Sequence, residues 1–181
     1  MLTIRHPVPN DAVVITDIWL ESWHGGYRGI VPDAAIARRT YEDAMAYWQA
    51  VLADEARTAL VLVAEEAEVG VVGFAQAGPC EPDEPGYDVE LWKLYIAATH
   101  HRRGAGRALM HAMANLLAAQ GYHSLALRAF VGNQASGFYE RLGGKVLRTE
   151  PYDILGEQVD TILYGWPDLT VLCPSMETAE L

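Results

Sequence analysis

The sequence is short of cysteine, of cations and of long apolar runs, and each shortage excludes something. Its two cysteines, Cys80 and Cys173, stand far apart with no second Cys or His at metal-ligand spacing, so neither a disulfide framework nor a metal site is expected. Cys80 reads as a loop residue and Cys173 as part of a tail. Lysine and arginine number 13 against 24 acidic residues, a net charge of −11, which argues against nonspecific binding to nucleic acid or to an anionic membrane. Charge or glycine breaks every apolar stretch well before the roughly 20 residues that a membrane span needs. No charged-then-apolar leader opens the chain, so a cytoplasmic location is expected. Internal repeats and low-complexity segments are absent as well.

What is there suffices for one core. With 181 residues, 51% of them apolar, a single domain over residues 1–169 is expected, followed by a polar tail from 170 to 181 with nothing to bury. Asn10 offers a cap to a helical pattern ending near Trp23 to Gly26, and Asp33 starts a brief turn. Thr40 and Asp43 resemble a capping box for a helix to about Ala53. "TALVLVAEE" and "VGVVGFAQA" read as a hairpin, and "GPCEPDEPGY" (78–87), with three prolines, as an exposed loop. "DVELWKLYI" is a strand, and "GAGRALMHAMANLLAAQ" is a helix stopped by Gly121. A strand "SLALRAF", a short helix from Ala135 to Leu142 capped by Asn133, and a hairpin through Gly156 follow. Strands that meet both hairpins and a helical crossover make an α/β sheet.

Against the acidic whole, "HHRRGAGRALM" (100–110) sets three arginines around two glycines where a helix begins. Free amides at a helix N-terminus and the positive end of its dipole make an anion site. Gly104, Ala105 and Gly106 let the backbone come close to a phosphate, while Arg102, Arg103 and Arg107 add charge that a polyphosphate would feel. A G-x-G alone could equally make a tight strand-to-helix turn. The dinucleotide fingerprint fails, because Leu109 takes its third glycine position, and the P-loop lysine is missing.

"LYIAATHHRRGAG" (94–106) resembles the acetyl-CoA loop of the GNAT superfamily of N-acetyltransferases: Gln or Arg, any, any, Gly, any, Gly or Ala, after a Leu-Tyr-Val strand. "NQASGFYERLG" (133–143) is similar to the family's Asn, Ala, Phe-Tyr, Gly block, and "WLESWHGGYRGIVP" (19–32) to the opening of many bacterial members. The likeness spans residues 2–166. One departure is His101, where Gln or Arg is usual, which puts a side-chain contact in doubt more than the cofactor.

The resemblance implies a mixed, mostly antiparallel sheet of about seven strands flanked by about four helices. It also implies transfer of acetyl from acetyl-CoA to a primary amine by direct attack, without metal or covalent intermediate. The acceptor would be a small molecule such as an amino-acid analogue, a polyamine or an antibiotic; a protein or peptide amine, or a non-catalytic acyl-CoA sensor, stays open. A homodimer is common in the family.

The same likeness implies site residues. Leu94, Tyr95 and Ile96 would pair with the pantetheine arm and polarise the thioester carbonyl through a backbone N–H, and Asn133 would contact the cofactor. Tyr139 would be the general acid, against the pattern-only reading of a core aromatic. Glu90, six residues before Ile96, would be the general base; the alternative is a strand acid facing water. His24 is the reserve base. Trp19, Trp23, Tyr27 and Trp92 read as core or as walls of the acceptor pocket.

Overall fold

Short runs of β-branched and aromatic residues between turn signals set down seven strands, which a computed structural model describes together with the helices over residues 1–54, 59–80 and 86–173. The strands are β1 (Leu2–Arg5), β2 (Leu60–Glu66), β3 (Gly70–Pro79), β4 (Val89–Ile96), β5 (Leu125–Phe130), β6 (Lys145–Ile154) and β7 (Glu157–Trp166). They form one sheet in the order β1-β2-β3-β4-β5-β7-β6, and every neighbouring pair is antiparallel except β4 and β5. The mixed, mostly antiparallel sheet implied by the resemblance is thus observed.

Helices cover both faces. α1 (Asp11–Glu21), α2 (Asp33–Ala37) and α3 (Tyr41–Ala53) pack on one side, over a core that includes Ile15, Trp19, Trp48, Val63 and Phe74. α4 (Ala105–Ala119) and α5 (Ser136–Arg141) cover the other, against Leu91, Leu109, Met113, Leu125 and Tyr164. Thr40 caps α3 as expected, its hydroxyl oxygen accepting the Asp43 N–H at 3.1 Å. Leu155 and Gly156, at φ 56 and 87, make the two-residue turn of the β6–β7 hairpin.

Four local expectations need correction. Asn10 precedes α1 but makes no side-chain cap bond; the Asp11 carboxylate instead accepts the Val8 N–H at 2.7 Å while paired with Arg5. α5 begins at Ser136, and the Asn133 side-chain carbonyl binds the Ala135 N–H at 2.9 Å, turning the chain two residues ahead of the N-cap Ala135. A tail with nothing to bury does not begin at Thr170, because Leu169–Leu172 form a 3₁₀ turn that seats Leu169 and Leu172, each 1% exposed, in the α4-side core. The supposed loop at 78–87 starts later than expected, Gly78 and Pro79 being part of β3; residues 81–85 and 174–181 lie outside the described residues.

Two irregularities in β4 position the site. Gln76 faces Lys93 but Ala77 faces Leu91, so Trp92 is an extra residue on β4, a β-bulge. And β4 pairs with β5 only at Val89↔Leu125 and Glu90↔Ala126; past them the two strands part. The closed end is clamped by Asp88, whose carboxylate accepts the backbone N–H of His123 (2.7 Å) and of Ser124 (3.0 Å).

Candidate active site

The opening between β4 and β5 ends at the first turn of α4. Gly104 caps that turn at φ 94, a left-handed conformation that favours glycine, with open space where a Cβ would stand. No side chain caps α4, and its first backbone bond runs from the Ala108 N–H to the Gly104 carbonyl, which leaves the amides of Ala105, Gly106 and Arg107 facing outward. Arg102, Arg103 and Arg107 are exposed around them. His101 is pinned by its Nε2, 2.9 Å from the Ile96 carbonyl oxygen, and so serves the loop by tying it to the end of β4. This set suits the phosphate-rich end of a long ligand, and the one-sided edge of β4 suits an extended arm.

Leu94 and Ile96 turn their side chains into the α4-side core, so what they offer the opening is backbone. Tyr95 points to the other face, where it accepts a hydrogen bond from the Tyr27 hydroxyl at 3.2 Å. A cleft of about 690 Å³ adjoins the opening and is lined by Glu90, Tyr95, Asn133 and Tyr139 as well as by Trp19, Trp23, Tyr27 and Trp92. The structure therefore gathers Glu90, Tyr139 and Asn133 onto one cavity. It does not bring His24 there: that ring is exposed, its Nε2 on the Arg39 carbonyl oxygen at 3.2 Å.

Tyr139 is 5% exposed and lies against Phe138 (5.4 Å) and Tyr164 (5.6 Å). Burial, with Tyr95 and Tyr164 nearby, holds its phenol well above the usual tyrosine range, so at neutral pH it carries its proton. Glu90 is also 5% exposed, which excludes a strand acid facing water. Arg128 Nη1 meets both of its oxygens, at 2.9 and 3.0 Å, and Arg128 Nε reaches Glu150 at 3.4 Å, which in turn holds Arg148 at 2.6 Å. Acids and bases thus alternate along one wall.

Sequence reasoning passed over Lys93, Arg39 and Arg128. Lys93 Nζ donates to the Tyr47 hydroxyl (2.9 Å) and to Gln76 Oε1 (2.8 Å), and sits 4.6 Å from the Tyr47 ring centroid. Arg39 stacks over Trp23 at 4.4 Å. Two of the three carried a signal: a lone cation inside an otherwise apolar strand, as in "LWKLY" and "LALRAF", must find buried partners. Among the described residues no group of His, Cys, Asp and Glu is arranged to hold a metal ion.

Comparison with known proteins agrees with this geometry. The model of a family described as acetyltransferase (GNAT) matches residues 15–144. The chain is 28% identical over 172 residues to the uncharacterized N-acetyltransferase YuaI of Bacillus subtilis (strain 168), covering 95% of this chain and 96% of that protein. It is 30% identical over 113 residues, 62% of each chain, to an L-methionine sulfoximine/L-methionine sulfone acetyltransferase of Pseudomonas aeruginosa PAO1. Among solved structures, yncA of Salmonella typhimurium, with its cofactor acetyl-CoA, superposes at a TM-score of 0.71 with 23% identity, covering 93% of this chain and 94% of that one.

Proposed function

The chain belongs to the GNAT family of acetyltransferases, and from that premise we propose that it moves an acetyl group from acetyl-CoA to the primary amine of a small molecule by direct attack. The observation that carries the proposal is the parting of β4 and β5 directly beside the uncapped, glycine-turned end of α4. The α4 amides and the three arginines would receive the pyrophosphate, and the backbone of Leu94 to Ile96 the pantetheine arm. Asn133 keeps its side-chain amide available, since its carbonyl is the atom engaged by Ala135.

In the reaction the amine nitrogen forms a bond to the thioester carbonyl carbon, the C–S bond breaks, and the amine loses one proton while the sulfur gains one. A backbone N–H of the parted β4 strand would stabilise the oxyanion. Tyr139, protonated and in the cleft, is the group suited to protonate the departing sulfur. Glu90 is the carboxylate suited to receive the amine proton, through water, and its ion pair with Arg128 fixes its orientation. The amino-acid analogue named for the Pseudomonas relative supports a small acceptor.

The test is acetyl-CoA binding by calorimetry, with thiol release followed over a panel of amines. Gly104→Glu sets a carboxylate at the phosphate end and should abolish acetyl-CoA binding while circular dichroism stays unchanged. Undiminished binding by that folded variant sinks the assignment of the cradle.

A further inference from the structure

Inside the cleft the charges do not balance. Four cations line it, Arg38, Arg39, Lys93 and Arg128, against two carboxylates, Asp43 and Glu90; Arg128 is paired with Glu90, the Arg38 guanidinium reaches the Leu155 carbonyl, and Asp43 is engaged by the Thr40 hydroxyl at 2.7 Å. Arg39 and Lys93 remain. Both lie against the Trp19 ring, the Arg39 guanidinium carbon at 5.6 Å and Lys93 Nζ at 5.8 Å from its centroid.

Among the described residues neither has an acidic partner. The buried Arg39 Nε has no hydrogen-bond partner. Lys93 Nζ has neutral oxygens for two of its three protons, and Tyr47 and Trp48 ring faces beside it at 4.6 and 5.7 Å. Burial and the nearby Arg39 charge push the Lys93 ammonium down to about 8, as expected of two like charges in a dry site. Aromatic faces around a cavity can hold the ammonium of a ligand, but here the ammonium is the protein's own.

We propose that the acceptor amine carries an anionic group, a carboxylate or an equivalent oxyanion, seated between Arg39 and Lys93, so that the substrate is an anionic amine rather than a polyamine, an aminoglycoside or a basic peptide. This deepens the acetyltransferase reading and rests on it. The anion supplies what the chain omits: an acceptor for Arg39 Nε and for the third Lys93 proton, and a negative charge between two positive ones. A cationic acceptor meets two cations on entry. Lys93 and Glu90 both line the cleft from β4, so the same strand would hold the anionic end of the acceptor and take the proton from its amine.

Thiol release is measured with amines matched except for a carboxylate: L-methionine sulfone against 3-(methylsulfonyl)propylamine, L-phenylalanine against phenethylamine, and spermidine as the cationic extreme. The carboxylated member should lead its partner by about 10- to 100-fold in kcat/KM, the worth of one or two charge-assisted hydrogen bonds. Lys93→Met and Arg39→Gln should each shrink that ratio, and Lys93→Arg should keep most of it. In parallel, calorimetry with sulfate and with N-acetyl-L-methionine sulfone should detect binding to the CoA-loaded protein that Lys93→Met weakens. A faster decarboxylated amine or spermidine overturns the inference, and so does failure of both anions to bind. Anion binding that Lys93→Met weakens, without turnover of any amine, would sustain the anion site and count against the transferase reading instead. If acetyl-CoA itself does not bind, that reading fails independently, and the anion titration of the free protein still decides this inference.

Discussion

At the scale of the residue, Tyr139 shows how one side chain is fitted to a role by its surroundings. Its ring is held by Phe138 and Tyr164, and its burial keeps the phenol protonated. Tyr139→Phe preserves the ring and its packing but removes the proton. Turnover should drop by about 10²-fold, the lower end of what general acid–base catalysis contributes, while acetyl-CoA affinity from calorimetry changes little. An unaltered kcat would exclude the hydroxyl from the chemistry. The sequence block around Asn133 pointed to this tyrosine, whereas nothing comparable pointed to Arg39. Arg39 follows the five-residue helix α2, and its partners Trp19 and Trp23 come from α1 and the turn after it. A contact between segments so placed is made by the fold and leaves no local pattern.

At the scale of the element, β4 departs from what its sequence alone suggests. Strict alternation from Leu94 and Ile96 would send Trp92 and Glu90 to the same face as those two, toward α4. The extra residue at Trp92 resets the phase, so that Leu91 and Leu94 both pack on the α4 side while Glu90 and Lys93 both line the cleft. Bulges carry little sequence signature, which is why the strand was legible and its inflection was not. Gly78 opposite confirms the cost in space: a Cβ there would collide with the Trp92 ring.

The other end of β4 depends on Asp88. Its two backbone partners, His123 first and Ser124 after it, draw the Asp88 carboxyl below the usual aspartate range. A carboxyl depressed on folding contributes stability above its unfolded pKa of about 3.9 and loses it as the pH falls through the lower folded value. Asp88→Ala strands two amides and should cost about 1–2 kcal/mol at pH 7. Thermal melts should show a loss of a few degrees at pH 7 that narrows at pH 3 or below; an equal loss at both would show that the charge is not involved.

At the scale of the molecule, the order of elements, the sheet class, the β6–β7 hairpin and the glycine-turned start of α4 were all legible, because each rests on local chemistry: turn glycines, β-branched runs, a glycine pair before a helix. The charged wall of the cleft was not, because its cations are gathered from β4, β5 and the turn after α2. The net charge of −11 gave no sign of it either, since a whole-chain sum says nothing of a cleft lined by more cations than carboxylates.

The parting of β4 from β5 also divides the chain in a way its single core conceals. Strands β1 to β4 come from residues 2–96 and strands β5 to β7 from residues 125–166, so the seam of two residue pairs is where the earlier half of the sequence meets the later half. A ligand whose arm lies along that seam joins them, and its binding continues the folding reaction. By mass action, acetyl-CoA at 100 times its Kd should raise the unfolding free energy by about 2.7 kcal/mol. The unfolding transition should move to higher temperature with acetyl-CoA yet stay single, since the α4-side core already joins Leu91 of the earlier half to Leu125 and Tyr164 of the later one.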